Sequence, residues 1–384
     1  MKVVHIMLCG PVTDGWSYQD NLLTKYHKKL GHDVTMITSQ WVWGTDSKLE
    51  KFEKSDYINE NDVKVIRLPI KDDKPFEYKF KRYVGLYDAI EAELPDVLFV
   101  HGAAFCDITV IVDYLKAHRD VTAFADNHAD FSNSATNWVS KNILHKVIWR
   151  HYAKKAEPYI TKFYGVMPAR VDFLVDIYNI DKSKTDLLCM AADDEKVDGT
   201  DKESFRAMLE EKYGIKKDDF LIVTGGKIDY AKRQTLYLME AVKNAKADGL
   251  KLLVFGSVED ELKEEFEAYL DCENITYIGW ITADESYDYF GAAELVVFPG
   301  RHSVFWEQVA GQGIPMLCKY WDGTTHVNTN GNVEFLYKDS ADEMKDKILS
   351  IYNDKDYYEK LKANAMDAKC NFVYSRIAEK SLLK

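Results

Sequence analysis

Residues 298–315, FPGRHSVFWEQVAGQGIP, combine the residue types that bind a nucleotide. The apolar run 295–298 predicts a buried parallel strand, and the Pro-Gly pair ends it. Ser303 stands where an N-cap would start a helix, and Glu307 falls in the first turn of that helix. Backbone amides at such a corner receive phosphate, while a fixed carboxylate accepts hydrogen bonds from ribose hydroxyls. The pattern therefore indicates nucleotide binding.

Residues 225–233, GGKIDYAKR, are a second candidate for phosphate binding. They lie between a predicted strand, 220–224, and a predicted helix, 234–247. Gly226 lets the backbone approach a phosphate closely, and Lys227 and Lys232 supply positive charge. The chain contains no GxxxxGK[ST] motif, so a P-loop nucleotide hydrolase is not favoured.

His128 lies in the polar segment DNHAD, residues 126–130, directly after a strand predicted over 121–125. Polar residues at the carboxyl end of a strand more often belong to a site than to the core. The alternative is a loop histidine satisfied by local hydrogen bonds. One histidine beside two aspartates is a pattern of low specificity for a metal, and we expect no metal site.

Gly15 lies in the loop DGWS, residues 14–17, which follows the first predicted strand. The dinucleotide-binding fingerprint GxGxxG would stand at this point, and it is absent. The loop therefore does not favour a site of the NAD-binding type.

Residues 141–162 contain six Lys and Arg against one acid, Glu157, with aromatic and aliphatic residues interleaved. A basic amphipathic helix of this kind can lie on an anionic membrane surface. A helix with an apolar core face and a solvated charged face has the same composition. The sequence leaves both interpretations open.

The overall composition is that of an acidic globular protein. A chain of 384 residues is long for one core, and a hydrophobic content of 46 % excludes a disordered chain. The net charge of −13 argues against a nucleic-acid partner. Residues 1–180 hold 23 Lys and Arg against 24 Asp and Glu, and residues 181–384 hold 27 against 39. Nearly all of the negative excess therefore lies in the second half.

The six cysteines stand singly, without a CxxC pair, which favours neither a zinc site nor a disulfide framework. The first eight residues are too short for a signal peptide and lead directly into a predicted strand. No stretch approaches ~18 apolar residues, the length that spans a membrane. We therefore expect a cytoplasmic protein.

Predicted strands and helices alternate in two series. The first series begins at Val3, and a fresh one begins at Phe220 after a polar stretch. Alternation of this kind predicts an α/β fold with parallel sheets. We expect two Rossmann-like domains, 1–180 and 186–365, joined by a linker near 180–186.

Several short motifs together resemble the retaining glycosyltransferases of the GT-B fold, in the large family 4, over nearly the whole chain. They are LGHDV at 30–34, PDVLFVHG at 95–102, MAADD at 190–194, GK at 226–227 with Lys232, and WEQVAGQGIP at 306–315. The resemblance implies two Rossmann-like domains facing a central cleft, with a C-terminal helix at about 366–384 packing back on the first domain.

The resemblance also implies roles for individual residues. Lys227 and Lys232 would hold the donor diphosphate, and Glu307 the donor ribose. His128 would lie near the donor sugar, and Ile281 would lie against the base. Gly15 would lie in the loop that faces the donor phosphate and the acceptor. The other donor-binding positions would be Gly226, His302, Ser303 and Val304.

The implied reaction is metal-independent transfer, with retention, from a nucleoside-diphosphate sugar to a glycan or lipid-linked acceptor. The expected donor is a UDP-sugar, and no further cofactor is expected. The setting would be capsule, O-antigen or exopolysaccharide synthesis at the inner face of the cell membrane.

Two positions depart from the family pattern. The family motif E-x7-E lacks its first glutamate here, because Pro299 stands eight residues before Glu307, and the loop is shorter. Lys227 replaces the usual Arg, which keeps the charge but loses bidentate geometry. An unusual donor or a reduced activity would follow from these changes. The alternatives are a GT-B nucleotide-sugar epimerase, and a sugar-nucleotide or glycan-binding protein that kept the fold without turnover.

Overall fold

The computed structural model describes residues 1–44, 48–73 and 80–383. The chain divides into two compact units, Met1–Cys189 with Tyr374–Lys384, and Met190–Val373. The first unit continues beyond residue 180, because the residues expected to form the linker lie partly in an edge strand of its sheet. The segment after residue 365 is divided, and only the part from Tyr374 onward belongs to the first unit.

An eight-stranded sheet forms the centre of the first unit, in the order β10-β9-β8-β7-β1-β2-β6-β5. All neighbours are parallel except β5 and β6, and a small antiparallel pair, β3 and β4, lies beside it. Inner strands such as β7 are buried on both faces, which explains their continuous apolar sequence. The strands of this unit among the described residues are β1 Lys2–Met7, β2 Asp33–Ser39, β3 Trp41–Trp43, β4 Leu49–Lys51, β5 Asp56–Ile58, β6 Lys64–Leu68, β7 Val97–Val100, β8 Thr122–Asn127, β9 Lys162–Gly165 and β10 Thr185–Leu187.

Helices cover the sheet of the first unit. The basic segment predicted as one amphipathic helix begins with a π-helix, Ser140–Trp149, and continues into a short α-helix. Two 3₁₀ turns, Lys71–Asp73 and Lys182–Lys184, connect other elements. The α-helices are α1 Gln19–Lys29, α2 Leu86–Glu93, α3 Ile108–Ala117, α4 Arg150–Ala156 and α5 Pro168–Asp176.

The second unit has a six-stranded parallel sheet in the order β13-β12-β11-β14-β15-β16. Its strands are β11 Phe220–Gly225, β12 Leu250–Phe255, β13 Ile275–Tyr277, β14 Leu295–Phe298, β15 Met316–Lys319 and β16 Val333–Leu336. Its helices are α6 Asp194–Gly199, α7 Lys202–Tyr213, α8 Gln234–Ala245, α9 Lys263–Glu267, α10 Glu285–Gly291, α11 Phe305–Gln312, α12 Ala341–Asn353 and α13 Lys355–Ala368. Short 3₁₀ turns lie at Tyr230–Lys232, Asp260–Leu262, Thr325–Val327 and Lys369–Phe372.

The last helix, α14 Tyr374–Ser381, returns to the first unit and packs on α1. The rings of Tyr26 and Tyr374 stack with centroids 6.2 Å apart. The Oγ of Ser381 lies 2.8 Å from Nε2 of the buried His27. These contacts combine apolar packing with a buried polar bond, so α14 is part of the core of this unit.

At Gly256, the loop after β12 lies very close to the loop after β11. Gly256 has a φ of +121°, and a Cβ at this position would lie 1.9 Å from the carbonyl oxygen of Gly226. We expect Gly256→Ala to lower the free energy of unfolding by roughly 2 kcal/mol or more, since overpacking and the left-handed backbone both oppose a side chain. Urea denaturation measures this effect. Gly199→Ala is the control, because a Cβ there has nothing within 4 Å, and equal stability of the two variants would contradict the prediction.

Candidate functional site

Two loops of the second unit meet at the carboxyl edge of its sheet. β11 pairs with β14 through Ile222 and Leu295, so the loops that follow these strands are neighbours. Residues 224–228, residues 299–301 and Ser303 line one small pocket, together with Lys232. Gly226 has a φ of +126°, which only glycine adopts freely, and its missing side chain leaves the backbone open to the pocket.

The two candidate lysines have different surroundings. Lys227 donates to Oε1 of Glu259 at 2.6 Å and lies 3.7 Å from Oδ2 of Asp229. Its hydrogen bond to Glu259 raises the pKa of Lys227. Lys232 lies beside the glycine turn, since a Cβ on Gly226 would be 3.8 Å from its Nζ. An anion in this pocket would compete with Glu259 for Lys227 and would meet Lys232 directly.

Glu307 is fully buried at the start of α11 and is bound by two histidines. Nε2 of His302 and Nε2 of His326 each lie 2.8 Å from the same oxygen, Oε1. Burial alone would raise the pKa of Glu307, but the two imidazoles lower it to about 2. Neither carboxylate oxygen is exposed in this conformation, so a direct contact with ribose would require the covering residues to move.

The other residues predicted to bind the donor lie in different parts of the second unit. Ser303 lines the pocket, but α11 begins at Phe305 without a side-chain cap, so the N-cap assigned to Ser303 is wrong. Its carbonyl instead accepts the amide of Trp306 at 3.0 Å. Val304 is exposed and Ile281 half-buried. Ile281 follows the edge strand β13, two strands away from β11, and neither residue is among those lining the pocket.

The first unit contains a separate pocket of about 570 Å³ at the carboxyl ends of β1, β7 and β8. Its lining includes Asp20, His101, His128 and Trp149. His128 is partly exposed, and its Nε2 lies 3.5 Å from Oδ2 of the buried Asp126. Gly15 is not part of this lining; its φ is +76°, and its N–H donates to Oε1 of Glu60 at 2.7 Å.

A chain of buried histidines leads from this pocket to α14. Nδ1 of His101 lies 2.9 Å from Oδ2 of Asp126, and its Nε2 lies 2.9 Å from Nδ1 of His5. Nε2 of His5 lies 2.9 Å from Nδ1 of His27, whose Nε2 lies 3.1 Å from the carbonyl oxygen of Ala378. The sequence alone did not indicate this chain, because its three histidines lie far apart in sequence, at positions 5, 27 and 101.

The direction of these bonds follows from the carbonyl at one end. A carbonyl only accepts, so His27 carries its proton on Nε2. Burial lowers the pKa of His27 to about 3 and that of His5 well below its usual range, so both are neutral. His101 must therefore donate from Nε2 to His5 while its Nδ1 faces a carboxylate. Burial would lower the pKa of His101, but the charge of Asp126 raises it above its usual range and so favours the imidazolium form.

Arg67 is a second group that the sequence did not indicate. Its side chain is fully buried, and Nη1 donates to the carbonyls of Val12 and Ser39, both at 3.0 Å. Nε donates to the hydroxyl of Tyr57 at 2.9 Å, and Tyr57 donates to Asp14 at 2.5 Å. This network fixes the loop that carries Gly15.

The basic segment 141–162 exposes apolar side chains, as do two residues just before it. Trp138, Val139, Ile143 and Val147 are 69, 58, 45 and 60 % exposed. Part of its positive charge is used internally, since Arg150 donates to the carbonyl of Ile177 at 2.6 Å. Among the described residues, no helix is both long and apolar enough to cross a bilayer.

Comparisons with known proteins identify the fold. Residues 205–367 match the family model "Glycosyl transferases group 1". The crystal structure of a glycosyltransferase from Rickettsia africae is similar over 99 % of this chain and 96 % of its own, with 17 % identity and a TM-score of 0.69. The chain has the GT-B fold.

Two further solved structures have this architecture. Anabaena HepE in complex with UDP has 13 % identity and a TM-score of 0.69, over 99 % of this chain and 98 % of its own. UDP-GlcNAc 2-epimerase from Neisseria meningitidis, bound to UDP-GlcNAc, has 12 % identity and a TM-score of 0.61, over 100 % and 99 %. A comparison with curated protein sequences gives no match. At these identities the structures define the fold, and the group 1 match supports glycosyl transfer as the class of reaction.

The protonation state of the histidine chain can be measured. We expect His101 to be more than half doubly protonated at pH 6.5, and His5 and His27 to be neutral Nε2–H tautomers at pH 5. Because the folded pKa of His101 is raised, its pairing with Asp126 stabilises the fold below about pH 6.5 and is lost as pH rises through that folded pKa. Long-range ¹H–¹⁵N correlation of the ring nitrogens checks these states. Asp126→Asn should lower the pKa of His101, and a neutral His101 at pH 6.5 in the unsubstituted protein would contradict the assignment.

Proposed function

We propose that this protein is a retaining glycosyltransferase that uses a nucleoside-diphosphate sugar as donor, with a UDP-sugar as the preferred one. The observation that carries this is the pocket of the second unit, where a glycine turn and two lysines adjoin the loop 299–303. This pocket lies within the segment that matches the group 1 family model. The complexes of Anabaena HepE with UDP and with UDP-glucose support the choice of donor.

The chemistry assigned to the pocket is stabilisation of the departing nucleoside diphosphate. Lys227, Lys232 and the amides near Gly226 would meet the charge that develops on the leaving oxygen. Arg301, which also lines the pocket, adds a planar donor for phosphate. Because these groups supply the positive charge, the transfer step in this proposal is metal-independent at the diphosphate.

Glu307 and His128 have supporting roles in this proposal. Glu307 would act on the ribose indirectly, because it binds His302 and thereby positions the loop that carries Ser303 and Val304. His128, partly exposed at the pocket of the first unit and backed by Asp126, would contact the donor sugar.

The acceptor in this proposal is a glycan or a lipid-linked saccharide of capsule, O-antigen or exopolysaccharide synthesis. The exposed apolar face of residues 138–147 supports a location at the inner face of the cell membrane. Lys141 and Lys146 on the same segment favour anionic lipid.

A nucleotide-sugar epimerase is the second candidate, because a UDP-GlcNAc 2-epimerase has the same fold. The two activities give different products. Incubation with UDP-sugars and an acceptor should release UDP in step with a new glycoside, whereas an epimerase converts one UDP-sugar into another without acceptor. Thermal stabilisation by UDP-, GDP- and ADP-sugars ranks the donors beforehand. Binding without turnover in all cases would favour a non-catalytic binder.

Lys232 provides the sharpest test of the donor pocket. We expect Lys232→Ala to weaken UDP binding about 10- to 100-fold, because a charge-assisted contact to the diphosphate is lost. Isothermal titration calorimetry with UDP measures the change. Lys263→Ala is the control, since Lys263 is an exposed lysine of the same unit that pairs with Asp260 at 2.6 Å. Unchanged affinity in Lys232→Ala would show that the diphosphate does not lie in this pocket.

The membrane proposal is tested by flotation with vesicles of phosphatidylcholine and phosphatidylglycerol. We expect the protein to float at low salt, and Trp138→Glu with Val147→Glu to reduce the bound fraction at least ~10-fold, because two exposed apolar side chains no longer enter the interface. Trp280→Glu is the control, as Trp280 is 71 % exposed in the other unit. A protein that stays in the soluble fraction at low salt does not bind membranes through this face.

A further inference from the structure

His302, Glu307 and His326 come from three separate segments and converge on one point. His302 lies in the loop after β14, Glu307 in α11, and His326 in the 3₁₀ turn after β15. One potential ligand atom from each lies within 4.8 Å of the other two. Two imidazole nitrogens and a carboxylate oxygen are ligands that zinc accepts in proteins.

Hydrogen bonding alone leaves this cluster unsatisfied. Both histidines direct Nε2 at Oε1 of Glu307, while Oε2 of the same carboxylate, fully buried, has no partner among the described residues. Nδ1 of His326 and Nε1 of the neighbouring Trp306 are also buried without a partner there. Since a buried unsatisfied polar atom costs free energy, their concentration around one carboxylate indicates a group that the protein atoms do not supply.

The size of that group is limited by burial. Glu307 is fully buried, and the side chain of His326 is only 3 % exposed. A sugar hydroxyl could reach the carboxylate only after the covering residues moved. A single ion needs little room, since ligands at about 2.0–2.2 Å from zinc lie roughly 3–4 Å apart. The observed separations of 2.8 Å and up to 4.8 Å are within about an ångström of that arrangement.

We propose that His302, Glu307 and His326 bind one divalent transition-metal ion, with zinc the ion that fits these ligands. Water would complete the coordination. The ion neutralises the buried carboxylate and ties the loop 299–304 to the turn Thr325–Val327. The role of the ion is to position the loop that borders the donor pocket. This role rests on the proposed function, whereas the ion site itself does not.

The test begins with metal content. Protein purified without chelator should hold about one zinc per chain by mass spectrometry, and stripped protein should bind Co²⁺ with the visible absorption of a low-coordinate site. We expect His326→Gln, which keeps a hydrogen-bond donor for Glu307, to lower Zn²⁺ affinity at least ~100-fold by competition titration. His118→Gln is the control, since His118 lies in the other unit. Far-UV circular dichroism and melting curves establish that each variant is folded.

Two results would overturn the site: unsubstituted stripped protein that binds neither Zn²⁺ nor Co²⁺ at micromolar concentration, or a folded His326→Gln that binds Zn²⁺ as tightly as the unsubstituted protein. The proposed function fails separately. Zinc bound at one per chain without any binding of UDP by calorimetry would support the ion site and contradict the donor pocket.

Discussion

The parallel pairing of β11 with β14 is the constraint on which the donor-side pocket depends. These strands are more than 60 residues apart in sequence, yet Val223 and Val296 are direct partners in the sheet. Parallel strands end at the same edge, so the pairing brings the glycine turn at 225–226 to the loop at 299–303. The close approach of Gly256 to the carbonyl of Gly226 holds the neighbouring loop against the same turn. The packing of the backbone therefore determines where the pocket lies, independently of its charged side chains.

Buried charge is handled differently in the two units. In the first unit Asp126 is paired with a protonated His101, and neutral histidines carry the hydrogen bonds onward to α14. In the second unit Glu307 faces two imidazoles that share one oxygen. In the first arrangement Oδ2 of Asp126 lies 2.9 Å from Nδ1 of His101 in an ion pair, whereas Oε2 of Glu307 has no partner among the described residues. That difference is the reason to look for an ion at Glu307 and not at Asp126.

Local pattern was sufficient to predict most of the inner strands of both sheets. Continuous apolar runs such as 97–100 and 295–298 are buried parallel strands in the structure, and the polar residues that follow them lie at pockets. Partners distant in sequence were not predictable in this way. His326 reaches Glu307 from 19 residues away, and His5 reaches His101 across 96. The N-cap predicted at Ser303 was wrong, because α11 has no side-chain cap and its N-cap position is Val304.

The second half of the chain is acidic, so nucleotide binding depends on the few basic side chains at the donor pocket. A dianionic nucleotide approaches a half of the chain with 27 Lys and Arg against 39 Asp and Glu, so the general field opposes it. Attraction must come from local groups. Lys227 is already paired with Glu259 and Asp229. A phosphate that binds Lys227 must replace these ion pairs, so the net gain in binding free energy is reduced. No ion-pair partner of Lys232 occurs in the part of the chain that the structure describes, and the missing side chain of Gly226 leaves it uncovered. The same formal charge on two neighbouring lysines therefore differs in effect, and Lys232 is the one available to a diphosphate without the loss of an existing bond.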